Sequence, residues 1–351
     1  MNRLSDKYKI LFIEEPDDKI VKKGSNFSIK EVNDNLSVLT PHFKWDDWKV
    51  MCPQYVSLLK EHVHSLTDSI FWFYSPLYVH ILNSVTPSMV IYDCMDELSA
   101  FRHASPNLPR YERQLMGTAD LVFTGGKSLY ESKKELHPEV HCFPSSVDRE
   151  HFLLALQEET EIPNDLLELK KPIAGFYGVI DERLDFQLLK EVADKLPDVN
   201  FVMIGPFAKI GEDDAAKAPN IFYLGKKEYP LLPKYLKGID VAIMPFAINE
   251  ATRFISPTKT LEFMAALKPI VSTPIHDVVR DYKHAVSVAS DADAFAKSID
   301  KFLKETANDR NKREKDQQEI IQKTSWDNTV IQMLALIAKA QDAVAFNAMK
   351  A

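Results

Sequence analysis

The sequence predicts an α/β protein of two domains, each built on an open, largely parallel sheet. Three observations carry that expectation. The chain has 351 residues, more than one ordinary hydrophobic core accommodates and comfortable for two. Short apolar runs alternate with polar or helix-patterned segments, which is the rhythm of βαβ units. The rhythm stops at a polar, Glu-rich stretch, 157–171, and then starts again.

In the first series the runs are Ile10–Ile13, Leu36–Leu39, Ile70–Tyr74, Met89–Tyr92, Leu121–Thr124 and Val140–Phe143. Each is short, rich in β-branched or aromatic residues and bounded by polar or turn residues, which suits a buried strand better than a helix. Pro163 lies in the polar stretch that serves as linker. The second series is Ile173–Tyr177, Phe201–Ile204, Ile221–Leu224, Val241–Met244, Ile270–Thr273 and Val286–Val288. Between them, Leu184–Leu196 carries Leu184, Phe186, Leu188, Leu189, Val192 and Leu196 at a mostly helical spacing. The tail Thr324–Ala345 reads as one amphipathic helix, with Ser325 as N-cap and Val330, Met333, Leu334, Ile337, Ala340 and Val344 on a stripe. Two Rossmann-like domains, 1–160 and 161–323, followed by a helical segment 324–351, fit this pattern.

Composition narrows the function classes. The 45% hydrophobic and 27% charged content is that of a soluble globular protein. No apolar run approaches the length of a membrane span and no signal peptide stands at Met1, so a cytoplasmic protein is expected. Cys52, Cys94 and Cys142 are odd in number and far apart, unlike a disulfide framework or a zinc site. His103, His141, His151 and His284 stand apart in the sequence and are not read as a metal site. A net charge of -8 argues against general binding to nucleic acid.

The most informative stretch is Phe246–Pro274, FAINEATRFISPTKTLEFMAALKPIVSTP. Ser256, Pro257 and Thr258 precede an amphipathic run, and a Ser or Thr N-cap with an early Pro starts helices. The free N–H groups and positive dipole end of a helix start favour an anion, and Lys259 and Thr260 add an ammonium and a hydroxyl in the first turn. Glu262 lies deeper, where its carboxylate suits two ribose hydroxyls. An isolated helix cap is the commoner meaning of such a segment; the surrounding pattern decides otherwise.

That pattern resembles the nucleotide-sugar signature of retaining GT-B glycosyltransferases, in which a Glu-x7-Glu motif precedes a small-residue helix and a Lys-Pro-Ile-Val strand. Glu262 matches the second glutamate. Position 254, eight residues earlier, is Phe254, so the first glutamate is absent and Asn249-Glu250 or Arg253 stands in for its sugar contact. The resemblance implies that the loop Gly178–Asp185 places Gly178 and Arg183 against the donor diphosphate, together with Thr258, Lys259 and Thr260. It implies that Glu262 holds the ribose and that Gly225 and Lys226 meet the nucleobase, with Tyr229 nearby; a charged surface turn is the alternative for these last residues. Asp96, at the end of a first-domain strand, and Glu250 become the catalytic candidates, and Arg253 the sugar contact. Helix capping competes with the role at that strand end.

The resemblance implies no metal and no cofactor beyond the donor. Gly125-Gly126-Lys127-Ser128 lacks the spacing of a P-loop. The last helix is expected to cross back to the first domain, with packing on its own domain as the alternative. The resemblance also implies a further strand, loop and helix ahead of Met1. A sheet without that central strand would leave backbone groups on two neighbouring strands unpaired.

The function implied is transfer of a hexose from a nucleoside diphosphate sugar to a hydroxyl acceptor, carbohydrate or lipid-linked, in polysaccharide or glycolipid synthesis. Peripheral association with the inner face of the plasma membrane is compatible with it. A non-catalytic nucleotide-sugar-binding homologue and a nucleotide-sugar epimerase on the same fold are the alternatives.

Overall fold

The computed structural model describes residues 1–17, 26–44 and 48–350. In the first half the strands are β1 Ile10–Ile13, β2 Phe27–Asn33, β3 Leu36–Pro41, β4 Ile70–Phe73, β5 Met89–Cys94, β6 Leu121–Thr124 and β7 Val140–Cys142. They form two sheets, ordered β1-β3-β2 and β4-β5-β6-β7. All neighbours run parallel except β2, which is antiparallel to β3. β2 has no counterpart in the sequence reading. It is an edge strand with no buried residue, so no apolar run marks it, and its pairing with β3 is what makes it a strand. β1 and β4 are not paired with each other.

The second half contains β8 Ile173–Tyr177, β9 Asn200–Ile204, β10 Ile221–Tyr223, β11 Val241–Met244, β12 Ile270–Ser272 and β13 Ser287–Val288. They form one parallel sheet, ordered β10-β9-β8-β11-β12-β13. β8, β11 and β12 are buried along their whole length, as expected for parallel strands covered by helices on both faces. The strand order reverses between β8 and β11, so the crevice at their C-terminal ends is where a ligand fits this kind of sheet.

Helix boundaries follow local chemistry. The helix Phe186–Lys195 starts at Asp185, whose carboxylate accepts from the Leu188 N–H at 2.8 Å. Leu184 lies outside it and bridges to Phe246 instead. The last helix, Trp326–Lys350, begins at Ser325, whose hydroxyl accepts from the N–H groups of Asp327 and Asn328. Met333 and Ile337 pack with Met89, Ile91, Leu121, Phe123 and Phe143, so the C-terminal helix lies against the first half.

The halves also meet at side chains that flank the crevice. The Ser128 hydroxyl donates to the buried carboxylate of Asp277, and Lys127 pairs with Asp281 at 2.6 Å. The Ser145 hydroxyl donates to the Ser256 carbonyl at 3.3 Å.

Candidate functional site

Two strand ends and one helix start converge in the second half. Gly178 follows β8 with φ 149° and Gly205 follows β9 with φ 155°, both in a region that favours glycine. A Cβ on Gly205 would stand 1.7 Å from the Gly178 carbonyl oxygen, so the two turns touch backbone to backbone. A Cβ on Gly178 would stand 3.3 Å from Cε of Lys259. The lysine stem therefore lies along the Gly178 turn. Among the described residues its ammonium has no carboxylate partner.

The helix Thr258–Ala265 takes Pro257, not Ser256, as its N-cap, and no side chain caps it. Ser256 instead offers its carbonyl to Ser145. The first-turn N–H groups of Thr258 and Lys259 are thus left for another acceptor, which suits an anion at a positive helix end. Thr260 departs from the expected role. It is fully buried, its N–H bonds the Pro257 carbonyl at 3.0 Å, and its hydroxyl points at Sδ of Met244 at 3.5 Å. The third residue of this helix faces the sheet, so its hydroxyl is spent in the core. The Thr258 hydroxyl lies 3.2 Å from that of Ser145 in the first half.

One turn further, Glu262 is buried, and its Oε2 accepts from the Tyr177 hydroxyl at 2.7 Å. Burial and the Glu262 charge push the Tyr177 phenol well above its ordinary value, so it stays a donor. Among the described residues Glu262 Oε1 has no partner. A carboxylate with one oxygen fixed and the other free is pre-set to accept from a hydroxyl. Beyond it, Tyr229 is half exposed and stacks on His151, with ring centroids 4.2 Å apart and planes 12° apart. Gly225, φ 67°, has open space around it, and Lys226 is exposed beside Glu228 at 3.4 Å.

Arg183 sends Nε and Nη2 to the buried carboxylate of Asp181 at 3.0 and 2.7 Å. Its guanidinium carbon sits 5.6 Å from the centre of the Phe101 ring in the first half. Asp96 belongs to the same neighbourhood. Burial raises its pKa, the charges of Arg183 and Lys209 oppose that rise and Asp181 adds to it. The loop that carries Asp96 and Phe101 is pinned from below by Lys133. This buried ammonium pairs with Glu97 at 2.7 Å and Glu112 at 2.8 Å.

The structure therefore brings Gly178 to Lys259 and Asp96 to Arg183. It leaves Glu250 and Arg253 on an exposed loop, paired with each other at 3.6 Å. Phe254, at the place of the absent glutamate, packs against the first-half core. Tyr177, Asp181, Phe101 and Lys209 were not singled out from sequence; only the nearness of Asp181 to Arg183 left a local trace. A cavity of about 720 Å³ opens at the opposite end of the sheet, where Lys171, Lys268 and Arg313 line it. Their charged groups are bonded to carbonyls and carboxylates, and the N-terminal strand ends are not where such sheets bind ligands.

Residues 171–305 match the family described as glycosyl transferases group 1. The putative teichuronic acid biosynthesis glycosyltransferase TuaH of Bacillus subtilis (strain 168) is 28% identical over 218 residues, covering 58% of this chain and 54% of that protein. The chain thus spans about half the length of that curated relative. Among solved structures, the sucrose-phosphate synthase of Thermosynechococcus elongatus superposes with TM-score 0.72 at 13% identity, covering 97% of this chain and 91% of that one. A UDP-forming trehalose-phosphate synthase of Burkholderia xenovorans gives TM-score 0.70 at 13% identity, covering 98% and 95%. Anabaena HepE in complex with UDP and glucose gives 0.66 at 12% identity, covering 86% of each chain. At such identities the structural likeness establishes the fold, two Rossmann-like domains across a cleft.

Proposed function

Because this chain carries a group 1 glycosyltransferase domain within a GT-B fold, we propose that it moves a hexose, with retention of configuration, from a nucleoside diphosphate sugar to a hydroxyl acceptor. The observation that carries this reading is Lys259, its stem lying along Gly178 and its ammonium without a carboxylate partner among the described residues, at a helix start that no side chain caps, with Glu262 buried one turn on. Two linked phosphoryl groups need cations and N–H donors; a ribose diol needs a carboxylate.

On this reading Lys259, Arg183, Gly178 and the N–H groups at Thr258 hold the diphosphate. Glu262 takes the ribose hydroxyls, and Gly225 and Lys226 border the base. Asp96 stands on the facing domain beside the transferred sugar. Negative charge grows on the leaving diphosphate in the transition state, and pre-placed cations stabilise it without reorganising. UDP in the HepE complex supports a uridine donor, and the teichuronic acid role of the TuaH relative supports a cell-wall polysaccharide acceptor. Among the described residues no helix is long and apolar enough to cross a membrane; a lipid-linked acceptor would bring the protein to a membrane surface.

The test is calorimetric titration with uridine, guanosine and adenosine diphosphates and their glucose conjugates. One nucleoside diphosphate should bind, and Lys259→Met should weaken it about tenfold or more, the loss of a charge-assisted hydrogen bond. Wild-type protein that binds none of them refutes the reading. Slow release of nucleoside diphosphate from the donor separates a transferase from a protein that only binds.

A further inference from the structure

The loop 95–104 of the first domain reaches across the cleft and lays one aromatic ring against two cations of the second. Lys209 Nζ is 4.6 Å and the Arg183 guanidinium carbon 5.6 Å from the centroid of Phe101, within the range of cation–π attraction. Neither cation is otherwise saturated. Arg183 spends Nε and Nη2 on Asp181, leaving Nη1 without a partner among the described residues. Lys209 is held by Glu182 at only 3.4 Å, and the second oxygen of that carboxylate, Oε2, is buried with no hydrogen-bond partner among the described residues. Lys209 also adopts φ 61°, a backbone region uncommon outside glycine, so the chain turns sharply where its ammonium is aimed at the ring.

We propose that Phe101 is an interdomain clamp that gathers Arg183 and Lys209 into one cationic pair for the donor diphosphate when the cleft closes, with Lys209 a further diphosphate-binding residue. The diphosphate role rests on the reading in the preceding subsection; the clamp itself does not. Two like charges repel, and the attraction of both to one ring lowers the cost of holding them on one side of the cleft. Because ring and cations belong to different domains, the pair is complete only in the closed arrangement. Closure then becomes coupled to the charge that the leaving group needs. Asp96 travels on the same loop, so the clamp also sets the catalytic candidate's distance from the diphosphate.

The experiment has two arms. In the first, spin labels on exposed positions of the two domains report the interdomain distance in full-length protein without ligand. Phe101→Leu should lengthen and broaden the distance distribution, and Phe101→Trp, which keeps the π face, should restore it. An unchanged distribution in Phe101→Leu overturns the clamp. In the second arm inorganic pyrophosphate is titrated by calorimetry. Lys209→Met should weaken binding about tenfold and Phe101→Leu about threefold, the scale of one desolvated and one partly exposed cation contact, with melting temperatures unchanged. Full pyrophosphate affinity in Lys209→Met removes Lys209 from the site. If Phe101→Leu gives the distance response while the wild-type protein binds no pyrophosphate, the clamp stands and the donor reading fails.

Discussion

The two halves of this molecule are held together differently. The second half has six strands in one parallel sheet and a single continuous core that runs from Val147 to Ile321. Among its described residues the first has seven strands divided between two sheets, and its core is split into clusters around Tyr92, Tyr55 and Phe123. Both interiors contain charge, Glu262, Asp277 and Arg313 in the second half and Asp93 in the first, but in the first a buried ion-pair network, Lys133 between Glu97 and Glu112, lies under the cleft-facing loop. The difference teaches where precision resides. Residues that would grip a donor hang on a rigid sheet. Those that face it, Asp96 and Phe101, hang on a loop whose place depends on an ion-pair network.

The largest effect that would expose this contrast is loss of Lys133. Burial opposes its charge, and the carboxylates of Glu112 and Glu97 outweigh that opposition, so its pKa stands above the ordinary lysine value. Lys133→Met leaves two carboxylates without their cation and should cost about 3–5 kcal/mol in urea unfolding. Hydrogen exchange should show loop 95–104 opening first while β8, β11 and β12 stay protected. Equal loss of protection in both halves would break the comparison.

A second probe asks what joins the halves. Ile337 is fully buried on the C-terminal helix, among residues of β5 and β6. Ile337→Ala should cost about 2–4 kcal/mol, seen as an earlier unfolding transition of the first half. A cost below about 1 kcal/mol, the level of surface changes, would mean that the helix only rests there.

The same contrast governs what sequence could reveal. β8, β11 and β12 of the second half are buried on both faces, so continuous runs such as Val241–Met244 announce them. β2 is exposed along its length and could not be seen that way. Lys259 and Glu262 can be proposed together from sequence because both lie in one helix start. Tyr177, the partner of Glu262, is 85 residues away in sequence, and Phe101 meets Lys209 only through the packing of two domains. Thr260 was misjudged because a helix start says which residues lie in the first turn, not which of them faces the sheet. Lys133 reads as an ordinary solvated lysine until tertiary structure buries it.

Titration provides a smaller, directional test. Burial raises the Asp93 carboxyl to about 6, although the Trp72 N–H and the N-terminal ammonium pull it down. The folded state therefore binds this proton more tightly than the unfolded one. The resulting stability is complete below about pH 4, the ordinary carboxylate range, and is lost as pH rises through the folded value. Wild-type protein should lose about 1–3 kcal/mol between pH 4 and pH 8 relative to Asp93→Asn, read from urea midpoints. A constant difference would show that the group titrates normally and that this buried site is wetter than its packing implies.

The smallest expected effect concerns a contact that looks important because it spans the sequence. Arg3 meets Asp327 at 2.5 Å, tying the first residues to the start of the C-terminal helix, yet both side chains are largely in water, at 41% and 71% exposure. Solvent screens such a pair, and two flexible side chains lose freedom to hold it. Arg3→Ala should change stability by only about 0–0.5 kcal/mol, and Asp327→Ala little more, because the Asp327 carboxylate sits at a helix start where it adds a few tenths through the dipole. If Arg3→Ala instead approached the loss expected for Ile337→Ala, the halves would be joined by charge rather than by the apolar seam on β5 and β6. Raising the salt concentration should then loosen the wild-type protein as strongly as the substitution does.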